Sequence, residues 1–358
     1  MTLLLFVAGL ALLVLGASLL VRGASGLALA LGISPLAVGL TVVAFGTSAP
    51  ELAVSVGAAL GGRTDIATGN VVGSNIFNVL AILGLSALIV PLRVQRQLIR
   101  QEVPIVIGAS LLLLTLGADG RIGMADGALL FALLIAYTAF LLVQSRRETR
   151  STQATAAASP PPAGRSWDAS LPAQIGLVVA GLAGLVLGSD WLLSAAVAFA
   201  RTLGVSDVVI GLTLVAAGTS MPEVAASVAA ALKGERDIAV GNVIGSNIFN
   251  ILGCLGLSAL VSGAQGLAVA PSLLAFDIWV MLAVALACLP VFVTGREIAR
   301  WEGAVFLLYY VAYATYLVLA AQQHDALPAF SAAMMSFVVP ITVVTLVVLV
   351  FGHSAAER

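Results

Sequence analysis

GISPLAVGLTVVAFGTSAPELAVSVGAALGGRTDIATGNVVGSNIFNVLAILGLSAL, residues Gly32 to Leu88, is the stretch on which the reading of this chain turns. It returns as GVSDVVIGLTLVAAGTSMPEVAASVAAALKGERDIAVGNVIGSNIFNILGCLGLSAL, residues Gly204 to Leu260. The copies align without a gap and agree at most positions. Glu51 falls on Glu223, Ser74 on Ser246 and Asn78 on Asn250, all at one constant offset. The surroundings are apolar, yet the unit carries a carboxylate, hydroxyls, amides, glycines and a proline. Polar atoms placed twice in a membrane chain point to a site shared by two halves.

Working outward, the 358 residues are 61% hydrophobic and 9% charged, against about 25% charged in soluble proteins. Apolar runs follow one another along the whole length, which predicts an all-α polytopic membrane protein. The net charge of −1 gives no nucleic-acid signal. Cys254 and Cys288 lie in apolar segments, with neither disulfide nor metal-site spacing. The first residues lack the basic region of a signal peptide and read as a first span.

Candidate spans fall at about 3–30, 34–60, 66–91, 102–118, 123–143, 172–200, 205–232, 238–262, 270–293, 301–321 and 328–351. This predicts five spans in a first repeat (1–143), a flexible linker (144–170), five spans in a second repeat (171–322), and one extra C-terminal span and tail (323–358). The linker is rich in Ser, Thr, Ala and Pro and cannot bury a core. With it in the cytoplasm, only Arg63, Arg121 and Arg201 of the 16 Lys and Arg fall outside, and the N-terminus is outside as well. Five is odd, so the two copies enter the membrane from opposite sides. The expected fold is an inverted-topology repeat of 5+5 transmembrane helices, with broken helices at an ion site.

Pro50 has no N–H to donate, so it frees carbonyls near Gly46, and Gly46 permits a bend. Thr47 and Ser48 stand four and three residues before Glu51, on its face of a helical path. Gly218, Thr219, Ser220, Pro222 and Glu223 repeat the set. A carboxylate at the bilayer centre costs about 2.5–3.5 kcal/mol on insertion scales. No Lys or Arg lies within these spans to pair with either glutamate, so a cation or a proton must. In the next span Asn70, Ser74 and Asn78 form one stripe, as do Asn242, Ser246 and Asn250. Gly69 and Gly73, and Gly241 and Gly245, are small-xxx-small patterns for close helix packing. Asn75 and Asn247 point elsewhere and read as packing or helix-break residues, while Asn70 and Asn242 read as structural hydrogen-bonders. The donor set is all oxygen, without His or thiolate, which suits calcium and sodium.

The paired GTSxPE and GNVxGSNIFN motifs resemble the alpha-repeats of the sodium/calcium exchanger family, in the cation/calcium antiporter superfamily, prokaryotic type. The resemblance covers both repeat cores and the ten-span plan. It implies ion ligation by Thr47, Ser48, Glu51, Ser74 and Asn78, and by Thr219, Ser220, Glu223, Ser246 and Asn250. It also implies backbone carbonyl ligands near Ala44 and Ala216, and alternating access in which the first spans of each half slide against a fixed core. The implied function is secondary active exchange of sodium for calcium in the cell membrane. No enzyme activity, cofactor, nucleic acid or protein partner is expected beyond the two ions and the lipid bilayer. Some relatives, including potassium-dependent ones, carry Asp where this chain has Asn78 or Asn250, which weakens the case for potassium. The segment Leu327 to Gly352 goes beyond the ten-span plan.

The nearest alternative is a proton/calcium exchanger of the same superfamily, whose core motif typically lacks Thr-Ser-x-Pro. A passive channel or ion-sensing scaffold is disfavoured by inverted repeats and broken helices. Asp190 and Asp277 read as helix-end or hydrogen-bonded structural residues, and Asp65 and Asp237 as helix N-caps.

Overall fold

A chain this apolar can satisfy its backbone in lipid only as helices or a closed barrel, and it forms helices. The computed structural model describes residues 2–155, 170–203, 210, 214 and 216–356, with side chains except at 148–155, 216 and 349–356. In order these are α1 (Thr2–Leu31), α2 (Pro35–Thr47), α3 (Ala49–Leu60), α4 (Thr64–Ile89), α5 (Leu98–Leu116), α6 (Met124–Thr155), α7 (Leu171–Thr202), α8 (Met221–Leu232), α9 (Arg236–Val261), α10 (Leu273–Val293), α11 (Arg300–Ala321) and α12 (Leu327–Val348). Among the described residues nine helices are long and apolar enough to cross a membrane, and α2 with α3 makes a further span bent by 46°. The expected span at 205–232 is described only from residue 216 onward, apart from residues 210 and 214. The expected linker begins as helix, since α6 runs on to Thr155. Residues 156–169 of it lie outside the described residues.

The two spans that carry the repeated asparagine and serine stripe lie at the centre. In α4 78% and in α9 89% of the apolar window is buried, against 6% in α11 and 0% in α12. The extra helix therefore stands at the periphery, held to α11 by the Tyr309 hydroxyl, 2.6 Å from Thr342 Oγ1.

Corresponding elements recur in the two halves. Asn78–Leu83 in α4 and Asn250–Leu255 in α9 are both π-helical turns. Each is followed by a short α-helical end that packs on the other half. A Cβ on Gly84 would lie 2.9 Å from Gly303 O of α11, and one on Gly256 would lie 2.9 Å from Phe131 N of α6. Two short antiparallel ladders also join the halves. Strand β1 (Leu92–Arg93) pairs with β4 (Glu297–Ile298), and β2 (Arg121–Ile122) with β3 (Leu267–Ala268).

A second polar pair repeats outside the motifs. Tyr137 donates to the buried Glu102 at 2.7 Å, and Tyr313 donates to Asp277 at 2.7 Å. Each ties the start of one span to the next, α5 to α6 and α10 to α11. Asp277 thus has the structural hydrogen bond expected of it. Asp65 and Asp237 are not N-caps: the caps are Arg63 and Glu235, and the aspartates lie one residue inside the first turn. There they still favour the positive end of the helix dipole.

The closest seam is between α1 and α7, which run antiparallel. A Cβ on Gly9 would come 2.9 Å from Gly188 O, one on Gly16 2.8 Å from Gly181 O, and one on Gly23 2.8 Å from Gln174 O. Only glycine allows backbones this near. The pair packs against α2 and α8, next to the repeated motifs.

Candidate ion-binding site

The bend between α2 and α3 falls at Ser48, with φ −82° and ψ 9°. Ser220 repeats it with φ −88° and ψ 10°. Pro50 and Pro222 sit in the first turn of α3 and α8, where a missing N–H costs nothing. Gly46 lies inside the helical run before the break. Its absent side chain leaves room for Leu182 of α7, whose Cδ atoms would be 2.5 Å from a Cβ; Gly218 does the same for Leu193. These glycines therefore serve a neighbouring helix more than a bend. Gly241 and Gly245 pack as expected, with a Cβ only 3.0 Å from Leu36 O and 2.6 Å from Leu40 O. At Gly69 and Gly73 no described atom comes within 4 Å of a Cβ position, so their expected packing is not seen among the described residues.

A serine before a helix normally caps it. Neither Ser48 nor Ser220 does. Their hydroxyls cross to the opposite half instead. Ser48 Oγ donates to Glu223 Oε1 at 2.7 Å, and Ser220 Oγ donates to Glu51 Oε1 at 2.7 Å. Both glutamates are fully buried and sit in the first turn of their helices, at the positive end of the dipole.

Ser74 Oγ lies 3.4 Å from Ser220 Oγ, on the Glu51 side. Thr219 lies against Glu51, and Thr47 and Ser246 against Glu223. Thr47 Oγ1 donates to Asn242 Oδ1 at 3.0 Å. Asn78 Nδ2 donates to Asn247 Oδ1 at 2.9 Å, and Asn250 Nδ2 to Asn75 Oδ1 at 3.2 Å. Glu51 Oε2, Glu223 Oε2, Asn78 Oδ1, Ser246 Oγ and Thr219 Oγ1 are buried without a hydrogen-bond partner. Eight of the ten polar side chains expected at the site, Thr47, Ser48, Glu51, Ser74, Thr219, Ser220, Glu223 and Ser246, thus gather around the two glutamates from both copies, while Asn78 and Asn250 are joined across the halves through Asn247 and Asn75. Of the two expected carbonyls, that of Ala44 accepts from Ser48 N–H at 3.0 Å and lies 3.4 Å from Thr47 Oγ1. Ala216 begins the short helix Ala216–Gly218 before the second bend. Among the described residues no three His, Cys, Asp or Glu side chains gather at one point.

Asn70 and Asn242 are structural, as expected: they donate to Ser55 Oγ at 3.0 Å and Ser227 Oγ at 2.9 Å. Ser55 and Ser227 escaped the sequence reading, although their repetition in both copies was a usable signal. Ser189 of α7 escaped it too. Its hydroxyl donates at 2.8 Å to Gly218 O, the carbonyl that Pro222 leaves without an amide partner. The first copy has Ala17 at that place, so no repeat pointed to it. Ser189→Ala should cost about 1–3 kcal/mol, the range for orphaning a buried polar group, read as a lower melting temperature of the purified protein. An unchanged melting temperature would mean that water or a neighbour replaces the hydroxyl.

The family profile described as sodium/calcium exchanger protein matches residues 1–143 and 173–319. The putative antiporter CaxA of Alkalimonas amylolytica is 39% identical over 273 residues, covering 75% of this chain and 83% of that one. The sodium/calcium exchanger MaX1 of Methanosarcina acetivorans is 35% identical, over 75% of this chain and 84% of that one. The solved structure of the sodium-calcium exchanger NCX_Mj, soaked with sodium and calcium, superposes with a TM-score of 0.73 at 32% identity, covering 87% of this chain and 97% of that one. Matched across both halves, with the repeated motifs meeting in one buried cluster, this chain belongs to the sodium/calcium exchanger family and is a multi-pass membrane antiporter, not an enzyme.

Proposed function

We propose that this antiporter exchanges sodium for calcium by alternating access, taking both ions at the Glu51–Glu223 cluster. The observation that carries this reading is the set of buried acceptor oxygens without a hydrogen bond: Glu51 Oε2, Glu223 Oε2 and Asn78 Oδ1. Buried acceptors left unbonded are costly, and a cation is the partner that satisfies several at once. Calcium takes six to eight oxygens. Two carboxylates match its charge. Hydroxyls of Thr47, Ser48, Ser74, Thr219, Ser220 and Ser246, amide oxygens of Asn78 and Asn250, and carbonyls near Ala44 and Ala216 complete the donor set. Sodium, of similar size and hardness, fits the same oxygens. The similarity to the sodium/calcium exchanger MaX1 supports the same ion pair here.

The arrangement of the halves supports alternation. The glycine-lined α1–α7 pair packs against the bent helices that carry the site. Its movement along α2 and α8 would open the cluster to one side and then the other. The cell membrane is the proposed location.

The test is calcium uptake into sodium-loaded proteoliposomes, with and without external sodium. Uptake should require the outward sodium gradient and proceed equally well in potassium-free buffer, since amides at 78 and 250 offer no third carboxylate to balance another cation. Uptake driven by a proton gradient and indifferent to sodium would favour a proton-coupled exchanger. Uptake that vanishes without potassium would overturn the ion assignment.

A further inference from the structure

Beside Ser74 and Ser246 in their helices, four amides close a ring across the two halves. Asn75 Nδ2 donates to the backbone oxygen of Asn247 at 3.3 Å, and Asn247 Nδ2 to the backbone oxygen of Asn75 at 3.4 Å. A backbone carbonyl can only accept, so the nitrogen end of each amide is fixed. The Oδ1 of each is thereby turned the other way. There it receives the remaining pair: Asn78 Nδ2 on Asn247 Oδ1 at 2.9 Å, and Asn250 Nδ2 on Asn75 Oδ1 at 3.2 Å. With their nitrogens committed, Asn78 and Asn250 must present their oxygens away from the ring. Asn78 Oδ1 is buried with no hydrogen bond. Asn250 Oδ1 has the Cys254 thiol 3.6 Å away. All four side chains are at most 2% exposed.

We infer that Asn75 and Asn247 are positioning residues for cation binding: each, anchored on the backbone of the opposite half, holds the opposite half's ion-facing asparagine with its oxygen toward the cation. Asn247 acts on Asn78 and Asn75 acts on Asn250. This rests on the reading of Asn78 and Asn250 as cation ligands. An amide free to turn would offer its NH2 group to a cation half the time and repel it. The ring also constrains positions 78 and 250 themselves. A carboxylate at either could not donate to the Oδ1 that faces it, so amides at both are matched to Asn75 and Asn247. The ring is therefore a link between the halves as well as a ligand support.

Equilibrium binding of radioactive calcium to the purified full-length protein, beside exchange KM and kcat, tests this. Asn247→Leu, close in size and without hydrogen-bonding atoms, should weaken calcium binding and raise KM about tenfold, ~1.4 kcal/mol, with kcat little changed. Double-mutant cycles then separate orientation from general packing. Asn247→Leu should cost nothing further once Asn78→Ala has removed the group it orients. Asn75→Leu should be silent in the same way on Asn250→Ala. The same-half combinations, Asn247→Leu with Asn250→Ala and Asn75→Leu with Asn78→Ala, should be additive. If Asn247→Leu does not insert, Asn247→Ser carries the same cycle. Additive costs in the crossed pairs, or equal losses of kcat and melting temperature in every combination, would overturn the assignment. A wild type that neither binds nor exchanges calcium would defeat the functional reading beneath it; a binding wild type with additive crossed pairs defeats only the amide ring.

Discussion

Replacing Glu51 or Glu223 by glutamine should lower sodium-driven calcium exchange at least about 100-fold, ~2.7 kcal/mol, while the protein still inserts and folds. Glutamine keeps the size of the side chain and one carbonyl oxygen. That oxygen can still accept from the opposite half's serine, as Oε1 does now at 2.7 Å on each side. What disappears is the charge that offsets dehydration of a divalent ion, and in a site this buried charge outweighs ligand count. The two variants should be about equally severe, because each half contributes one carboxylate to one cluster. Acid should inhibit the wild type by protons competing for the same oxygens. Flux in proteoliposomes, with melting temperature as the folding control, measures all of this. Near-normal exchange in either variant would mean that the glutamates are structural.

The second large effect is expected at the α1–α7 seam. Gly16→Val or Gly181→Leu should destabilise the protein by about 1–3 kcal/mol or more, the range for overpacking, and remove most transport. The reason is geometric. A Cβ at Gly16 meets Gly181 O and Leu185 N at 2.8 Å, and one at Gly181 meets Leu20 N at 2.5 Å. These are backbone atoms, which cannot swing away as the end of a side chain can, so the helices would have to part. Gly176→Ala on the same helix is the control: nothing stands within 4 Å of its Cβ position, and alanine is the better helix former. Full-rate transport by Gly16→Val with an unshifted melting temperature would show that the seam is not close-packed.

The repeat made the site legible. Two copies of Thr-Ser-x-Pro-Glu and Gly-Ser-Asn-Ile-Phe-Asn in apolar surroundings single out the polar positions of the candidate site. The cross-bonding was not legible. Whether Ser48 reaches Glu51 or Glu223 depends on how the halves face each other, and spacing along one chain does not contain that. The same holds for Asn75 and Asn247. On a regular helix they point off the polar stripe, and only the facing helix turns that direction into the centre of the ring. The α1–α7 seam was half visible, as glycines recurring in two very apolar helices. Glu102 and Tyr137 share no motif, and the Asp277–Tyr313 pair that echoes them differs in residue type and in register.

The π-helical turns at 78–83 and 250–255 set a phase. A π turn holds one more residue than an α turn, and each residue of an α-helix advances the side chain by about 100°. Everything after the turn is therefore rotated by that angle relative to an unbroken helix. Before it, the asparagines and serines look toward the partner copy of the motif. After it, Gly84 and Gly256 look toward Gly303 and Phe131, where backbone meets backbone. One helix thus serves two interfaces that a uniform pitch could not serve together. Hydropathy is blind to this: losing a single apolar residue between 79 and 83 would leave the span as greasy as before, yet it would turn Gly84 out of its notch and put a side chain there. The segment's length is as much a part of its information as its composition.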